Sequence, residues 1–245
     1  KYAKIGINVK VIFQNKFSLL SWPARLIFHI IKFKPDVVQT WMFHSNLVGG
    51  IFSKIAGVKK IIWNVRGPYN KKLYSAQTNI VILLCNLFSR VIPDKIIYNS
   101  NYALETLNFG VNKNNTKSTV IHNGFDVVSD PFLFRRNEQI KDNIFTIGMA
   151  ARYDSFKDHK TLLKSLHILK KNNIPFKCLL AGSEINYKNN DLMQDIIKMN
   201  LDKDIVLLDE LNNLNKFMKL IDVNVLSSND ESLPNVIVKA MSKGI

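Results

Sequence analysis

The stretch SSNDESLPNVIVKAMSKGI, residues 227–245, decides how the chain is read. It starts where the short run VNVL, residues 223–226, ends, and it passes through a polar loop to Pro234 and a last apolar segment. An apolar run, a Ser/Asn/Asp loop and a proline-opened helix make one half of a strand–helix unit of a parallel sheet. The loop carries Glu231 just ahead of the helix. A carboxylate there either caps the helix or faces the space beyond the strand's carboxyl end, and the stretch alone leaves both open.

The same alternation extends outward through the whole chain. In the first half, strands are expected over 5–13, 36–40, 60–65, 95–99 and 118–122, with helices over 17–33, 45–56, 72–91 and 103–109. The charged, proline-bearing stretch SDPFLFRRNEQIKDN, residues 129–143, breaks the pattern. It divides a domain at 1–130 from one at 144–245, with 131–143 as linker. In the second half, strands are expected over 144–150, 176–181, 205–208 and 223–226, and helices over 159–172, 191–199 and 214–220 before the one opened by Pro234. The expected class is α/β: two Rossmann-like, doubly wound parallel-sheet domains facing a central cleft.

Composition narrows the partners. The 245 residues carry 34 basic and 19 acidic side chains, a net charge of +15, which favours anionic partners. The cations run along the whole chain and no DNA- or RNA-binding module is present, so no specific nucleic acid is expected. Cys85 and Cys178 sit in apolar settings without zinc spacing and read as buried free thiols. The longest wholly apolar run, residues 80–85, falls far short of the roughly 20 residues that span a bilayer. No phosphate-binding glycine motif, metalloprotease motif or nucleophile elbow occurs.

Ligands of open α/β sheets bind beyond the carboxyl ends of strands, so candidates should follow strands. Arg152 and Lys157, in GMAARYDSFKDHKTLL, follow the strand at 144–150 and precede a helix. Two cations at a positive helix end suit a diphosphate, although solvated surface cations read the same way. Glu231 and the amides from Ser232 through Leu233 and Asn235 to Val236 occupy the equivalent place after 223–226. A carboxylate there suits sugar hydroxyls, and free first-turn amides suit phosphate oxygens. In the first half, His44 follows one strand, Arg66 the next, and Asn123 lies in VIHNGFD, where Asn-Gly favours positive φ. His44 reads equally as a structural histidine.

These segments, in this order, resemble glycosyltransferase family 4, whose members have the GT-B fold. WMFHSNLVGG, IIYNS, VIHNGFD, GMAARYDSFKDHKTLL and SSNDESLPNVIVKAMSKG each resemble a segment of that family, across nearly the whole chain. The resemblance implies retaining transfer of a hexosyl or N-acetylhexosaminyl unit in cell-surface polysaccharide synthesis. A UDP- or GDP-sugar would be the donor, a glycan or lipid-linked molecule the acceptor, and neither cofactor nor metal would be required. It implies catalytic roles for Arg152, Lys157, Glu231 and His44. Arg152 and Lys157 would hold the donor diphosphate, Glu231 the donor sugar, and the Leu233–Val236 amides the phosphates. His44, Arg66 and Asn123 would lie on the acceptor side.

Two positions depart from the family pattern. Its second Glu, eight residues after Glu231, is Lys239 here, and a cation cannot accept ribose hydroxyls. Ser232 replaces the usual Gly, where a positive φ would be strained. A non-catalytic or decayed sugar-nucleotide-binding relative is therefore the alternative expectation. Against the family pattern the chain also reads as truncated at both ends, without a first strand and Gly-rich loop. Finally, FSLLSWPARLIFHIIKFK, residues 17–34, mixes apolar residues with Arg25, His29, Lys32 and Lys34. It is either a core-facing helix or one that lies on an anionic membrane; the second reading implies a cytoplasmic protein peripheral at the inner face of the cytoplasmic membrane.

Overall fold

The computed structural model describes residues 6–10, 21–107, 109, 117–125 and 144–245. The chain forms two compact units, Lys1–His122 and Asn123–Ile245. The linker expected at 131–143 lies outside the described residues.

In the first unit, α1 (Trp22–Phe33) precedes β1 (Val37–Trp41), α2 (Phe43–Ile55), β2 (Lys60–Val65), α3 (Ala76–Phe88), β3 (Lys95–Tyr98), α4 (Asn101–Leu107) and β4 (Ser118–Val120). The four strands are parallel and stand in chain order, β1-β2-β3-β4. Of the strand expected over 5–13, residues 6–10 are exposed and form no strand; the rest lies outside the described residues. β2 carries Ile61, Trp63 and Val65 into the core, where Trp63 meets Phe109 edge-on at 6.4 Å. Gly50 of α2 makes this packing possible. A Cβ there would stand 2.6 Å from the Trp63 indole nitrogen, so only glycine lets the helix close onto the sheet.

A buried polar lattice locks α2 to β1 and β2. The Thr40 hydroxyl donates to Asn46 Oδ1 at 2.7 Å, Asn46 Nδ2 donates to the Asn64 carbonyl at 3.0 Å, and Asn64 Nδ2 donates to the Thr40 carbonyl at 3.0 Å. All three residues are buried, so each missing bond would leave a polar group away from water.

The second unit runs β5 (Phe145–Ala150), α5 (His159–Lys171), β6 (Phe176–Ala181), α6 (Asn190–Lys198), β7 (Ile205–Leu207), α7 (Leu214–Met218), β8 (Val223–Asn224) and α8 (Asn235–Met241). Its parallel sheet has the order β7-β6-β5-β8. The chain steps outward from β5 to β6 and β7, then crosses back to pair β8 on the other side of β5. Asp222 fixes that return: its amide donates to the Thr146 carbonyl at 2.8 Å while its carboxylate accepts from the Thr146 amide at 2.7 Å. Leu162, Leu163 and Leu166 of α5 are buried against the sheet, each contributing about 1.5–3 kcal/mol of burial. Cys85 and Cys178 are free and buried, and burial pushes both thiols up to about 12. Among the described residues, no helix is long and apolar enough to cross a membrane.

Asn46→Ala tests the lattice. It strips a donor from the Asn64 carbonyl and an acceptor from Thr40, and is expected to lower stability by about 2–3 kcal/mol in urea unfolding. A loss under half a kcal/mol would mean that the lattice contributes little.

Candidate functional site

In an open α/β sheet the ligand crevice opens where strand order reverses. In the second unit that point lies between β5 and β8, and the loops leaving those two strands are stitched together there. The Ser227 hydroxyl lies 3.0 Å from the Lys157 carbonyl and 2.9 Å from the Asp158 carbonyl. The Asn229 amide donates to the Phe156 carbonyl at 2.9 Å, and Asn229 Nδ2 to the Ser155 carbonyl at 3.0 Å. Asp154 shapes the first loop by accepting the Phe156 and Lys157 amides at 2.9 and 3.1 Å.

This stitching brings Lys157 and Glu231 together. Lys157 Nζ forms an ion pair with Glu231 Oε1, and the Ser228 hydroxyl donates to the same oxygen at 3.1 Å. About a quarter of each side chain remains exposed, so the pair is accessible from solvent. Glu231 is thus not the cap of α8. Pro234 occupies the N-cap position with no side-chain cap bond, and the helix starts one residue later than a proline in the first turn would place it. Ser232 does not take a positive φ, so no strain arises from the missing glycine. The Asn235 and Val236 amides take no backbone partner among the described residues, while those of Ile237 and Val238 turn back to the Pro234 carbonyl.

Arg152 leaves β5 with a side chain about two-thirds exposed and pairs with Asp154. Its backbone is set by Gly182, at φ 146°, where a Cβ would stand 2.2 Å from the Ala151 carbonyl oxygen. The β5 and β6 exits therefore run closer than any side chain allows. Beside them, His159 is buried against Tyr153, ring centroids 5.4 Å apart. Burial lowers its pKa, and the opposing pull of Asp154 and Asp158 is smaller. Neither Asp154, Asp158 nor His159 was singled out by spacing, because their work is done on backbone amides and by burial.

Lys239 lies half-buried on α8, one turn before Lys243. The Lys243 ammonium is held below its usual pKa, first by burial and then by Lys239 and Lys219. Lys239 thus belongs to a cationic neighbourhood. Asn123 Nδ2 donates to Asn235 Oδ1 at 2.6 Å. Neither Asn123 nor Gly124 adopts the left-handed conformation expected of Asn-Gly, and residues 121–125 form no turn.

The first unit gathers a separate group at the exits of β1 and β2. His44 is exposed in the first turn of α2. The Arg66 guanidinium stacks 4.2 Å above the half-exposed Trp41 ring, and burial lowers its pKa. Between Trp41 and His44, Met42 adopts φ 72°, ψ 159°, a conformation that side chains other than glycine's rarely take. The buried lattice holds it there: the Met42 amide donates to the Asn64 carbonyl at 3.1 Å and its carbonyl accepts from the Asn46 amide at 2.8 Å. Among the described residues, no three His, Cys, Asp or Glu side chains are placed to share a metal ion.

Two Rossmann-like parallel sheets, the second with a Lys–Glu pair at its switch point, define a GT-B fold. The structures most like the chain include Anabaena HepE in complex with UDP-glucose, at TM-score 0.78, 20% identity, 99% of this chain and 66% of that one. The lipopolysaccharide outer core galactosyltransferase WaaB is also similar, at TM-score 0.67, 15% identity, 98% of this chain and 64% of that one. The Glycosyltransferase Family 4 model matches residues 4–128, and that of the Glycosyl transferases group 1 matches residues 132–245. The chain belongs to glycosyltransferase family 4. Among curated relatives, an uncharacterized glycosyltransferase of Methanocaldococcus jannaschii is 27% identical over 95% of this chain. The UDP-Gal:α-D-GlcNAc-diphosphoundecaprenol α-1,3-galactosyltransferase of Escherichia coli is 24% identical over 87%. The chain spans 62% and 57% of these two relatives.

Two measurements check the geometry. Met42→Gly relieves the strained turn while losing a half-exposed side chain. It is expected to raise stability by about 1 kcal/mol in urea unfolding; a loss of that size would show the turn unstrained. His159 is held neutral by a lowered pKa, so its contribution is complete above the unfolded value near 6.5 and fades as pH falls below it. Its share of the stability slope there is at most about 1.4 kcal/mol per pH unit, and His159→Leu should remove that share. An unchanged slope in the variant would mean that His159 titrates alike in both states.

Proposed function

We propose that the chain serves retaining transfer of a hexosyl or N-acetylhexosaminyl unit from a UDP- or GDP-sugar to a glycan or lipid-linked acceptor in cell-surface polysaccharide synthesis. The observation that carries the reading is the Lys157–Glu231 pair at the β5/β8 switch point. Without a donor, each charge satisfies the other. A diphosphate arriving at the helix end exchanges partners: Lys157 and Arg152 turn to phosphate oxygens, and Glu231 is freed to accept sugar hydroxyls. The Asn235 and Val236 amides add donors for the same phosphates.

The chemistry then asks for charge stabilisation and positioning more than for a protein nucleophile. The bond from the sugar's anomeric carbon to the diphosphate oxygen breaks, and the acceptor hydroxyl oxygen bonds the same carbon from the same face. Its proton passes to the departing phosphate. Arg152 and Lys157 offset the charge that builds on that phosphate, the part that a divalent cation plays elsewhere. His44, Arg66 and Asn123 serve the acceptor. Peripheral attachment at the inner face of the cytoplasmic membrane, where a lipid-linked acceptor would be met, belongs to this reading.

Lys239 favours one second reading. With Lys219 and Lys243 nearby and no carboxylate at the family's second Glu position, ribose hydroxyls lack their acceptor, as in a relative that has kept the fold and lost turnover.

Calorimetric titration with a panel of UDP- and GDP-sugars, with and without EDTA, separates the two. The proposed function expects one donor to bind irrespective of EDTA, and Arg152→Ala or Lys157→Ala to weaken it about 10–100-fold. Binding by Lys239→Glu alone would support the decayed relative. A folded chain that binds no donor in either form would overturn the donor site.

A further inference from the structure

The carboxyl end of β1 leaves a tryptophan in water. Trp41, the last residue of that strand, is 48% exposed, whereas Trp63 on β2 is fully buried and Trp22 is half-buried on Phe52. An indole is a large apolar surface with one polar atom, and water is a poor place to keep it. A half-exposed tryptophan at the end of the sheet where ligands bind therefore asks for an occupant.

The ring is held in one orientation. Its chain enters the strained Met42 turn, which the buried lattice fixes on both sides. The Arg66 guanidinium lies on one face of the indole, 4.2 Å from the ring centroid. Arg66 is anchored in turn: its carbonyl accepts from Asn99 Nδ2 at 3.4 Å, and the Asn99 amide donates to the Val65 carbonyl at 3.2 Å. The loop that follows is pinned to α3 and α4. The Tyr69 hydroxyl donates to Asn79 Oδ1 at 3.0 Å, and the Tyr69 amide donates to the Thr106 hydroxyl oxygen at 3.1 Å. With one face covered by Arg66, the exposed part of Trp41 is its opposite face and edge. His44 stands beside it, exposed in the first turn of α2.

The polar surroundings lack carboxylates. The first unit, Lys1–His122, contains 17 basic and 3 acidic residues, a net of +14, whereas Asn123–Ile245 contains 17 and 16, a net of +1. Of the three acids, Asp36 and Asp94 precede β1 and β3, at the opposite end of the sheet, and Glu105 lies on α4. Among the described residues, the exit segments 41–46, 66–75, 99–102 and 121–125 contain no Asp or Glu, so none there competes with the ring for the guanidinium.

We propose that Trp41 is the platform on which the ring of an acceptor pyranose stacks, with Arg66 fixing the indole from behind and His44 offering an imidazole to the sugar's hydroxyls. A pyranose has a face of C–H groups and a rim of hydroxyls. The C–H face, made slightly positive by the oxygens attached to it, meets the negative face of an indole, and the hydroxyls need polar partners beside it. A nucleobase stacks on such a ring too. The groups that suit a donor's diphosphate, however, belong to the second unit, which leaves this ring to the other substrate. The inference rests on the proposed function, which it deepens by naming a residue that selects the acceptor's sugar.

Trp41 reports on its own occupancy. In the Trp22→Phe chain the other remaining tryptophan is buried, so acrylamide quenching of indole fluorescence reads Trp41. The probes are the methyl α- and β-glycosides of glucose, galactose and N-acetylglucosamine, added without donor. At least one is expected to slow quenching saturably, by about half or more, while UDP and GDP leave it unchanged. In saturation-transfer NMR the same glycoside should receive most signal on the protons of its C–H face. Trp41→Ala should weaken its binding about tenfold or more, and Trp41→Phe, with a smaller ring, about two- to threefold, with circular dichroism unchanged. Arg66→Lys keeps the charge but loses the planar stack, and should weaken binding about threefold. Shielding of Trp41 by UDP or GDP would give the ring to a nucleobase and overturn the inference. So would a folded chain in which no glycoside slows quenching, or a glycoside that binds Trp41→Ala as tightly as the unaltered chain. Calorimetry with the donor panel keeps the two readings apart: donor binding without shielding removes the platform alone, and shielding without donor binding removes the donor site alone.

Discussion

Everything that the second unit can do with a ligand depends on the return of β8 to the free side of β5. Had the chain continued outward from β7, Glu231 would leave the sheet beyond β7, on the far side of β6 from Lys157. Because it returns, the loops after β5 and β8 become neighbours, and short polar contacts convert neighbourhood into geometry. Ser227 accounts for much of this with one hydroxyl placed between two carbonyls of the opposite loop. Glu231 and Lys157 then meet across a seam that backbone bonds have already fixed, so little side-chain entropy is lost in their pairing.

The first unit reaches a comparable end by storing strain. Its turn from β1 into α2 is too tight for an ordinary conformation, and Met42 takes a backbone angle suited to glycine. A conformation costing about 1–3 kcal/mol persists only where its surroundings fix it from several sides. Here the Asn46–Asn64–Thr40 lattice grips the turn at both amide and carbonyl. The outcome is that Trp41, with Arg66 stacked on it, and His44 are presented at the strand exits on a backbone with little freedom to relax.

Much of this was legible in the sequence, and the reason is periodicity. β2 and β6 fall at 60–65 and 176–181, as their apolar runs between turn residues require, because burial of alternate side chains fixes both ends. The candidate residues were found because they follow strands. What stayed hidden were contacts made on backbone groups: Ser227 on two carbonyls, Asp154 on two amides, Asn46 and Asn64 on strand oxygens. A serine or asparagine looks the same in sequence whether it braces a loop or faces water. Gly182 was silent for a related reason, since its role is to let Ala151 approach. Asn123-Gly124 misled, because a dipeptide preference for left-handed turns yields where the surrounding chain forms no turn.

The division of charge follows from how each unit satisfies its polar groups. The second unit uses carboxylates structurally: Asp154 and Asp158 on loop and cap amides, Asp222 on the start of β5, Asp195 and Asp204 paired with Lys160 and Lys170. Its cations are balanced as a consequence. The first unit does the same tasks with neutral groups: Ser75 caps α3, Ser100 meets the Ala103 amide, and Asn46 and Asn64 span the strands. Of its three acids, Asp94 accepts the Ile61 amide. Neutral capping leaves seventeen cations with few internal carboxylates. Self-repulsion on that scale weakens a compact state. An anionic partner of any kind would offset it from outside.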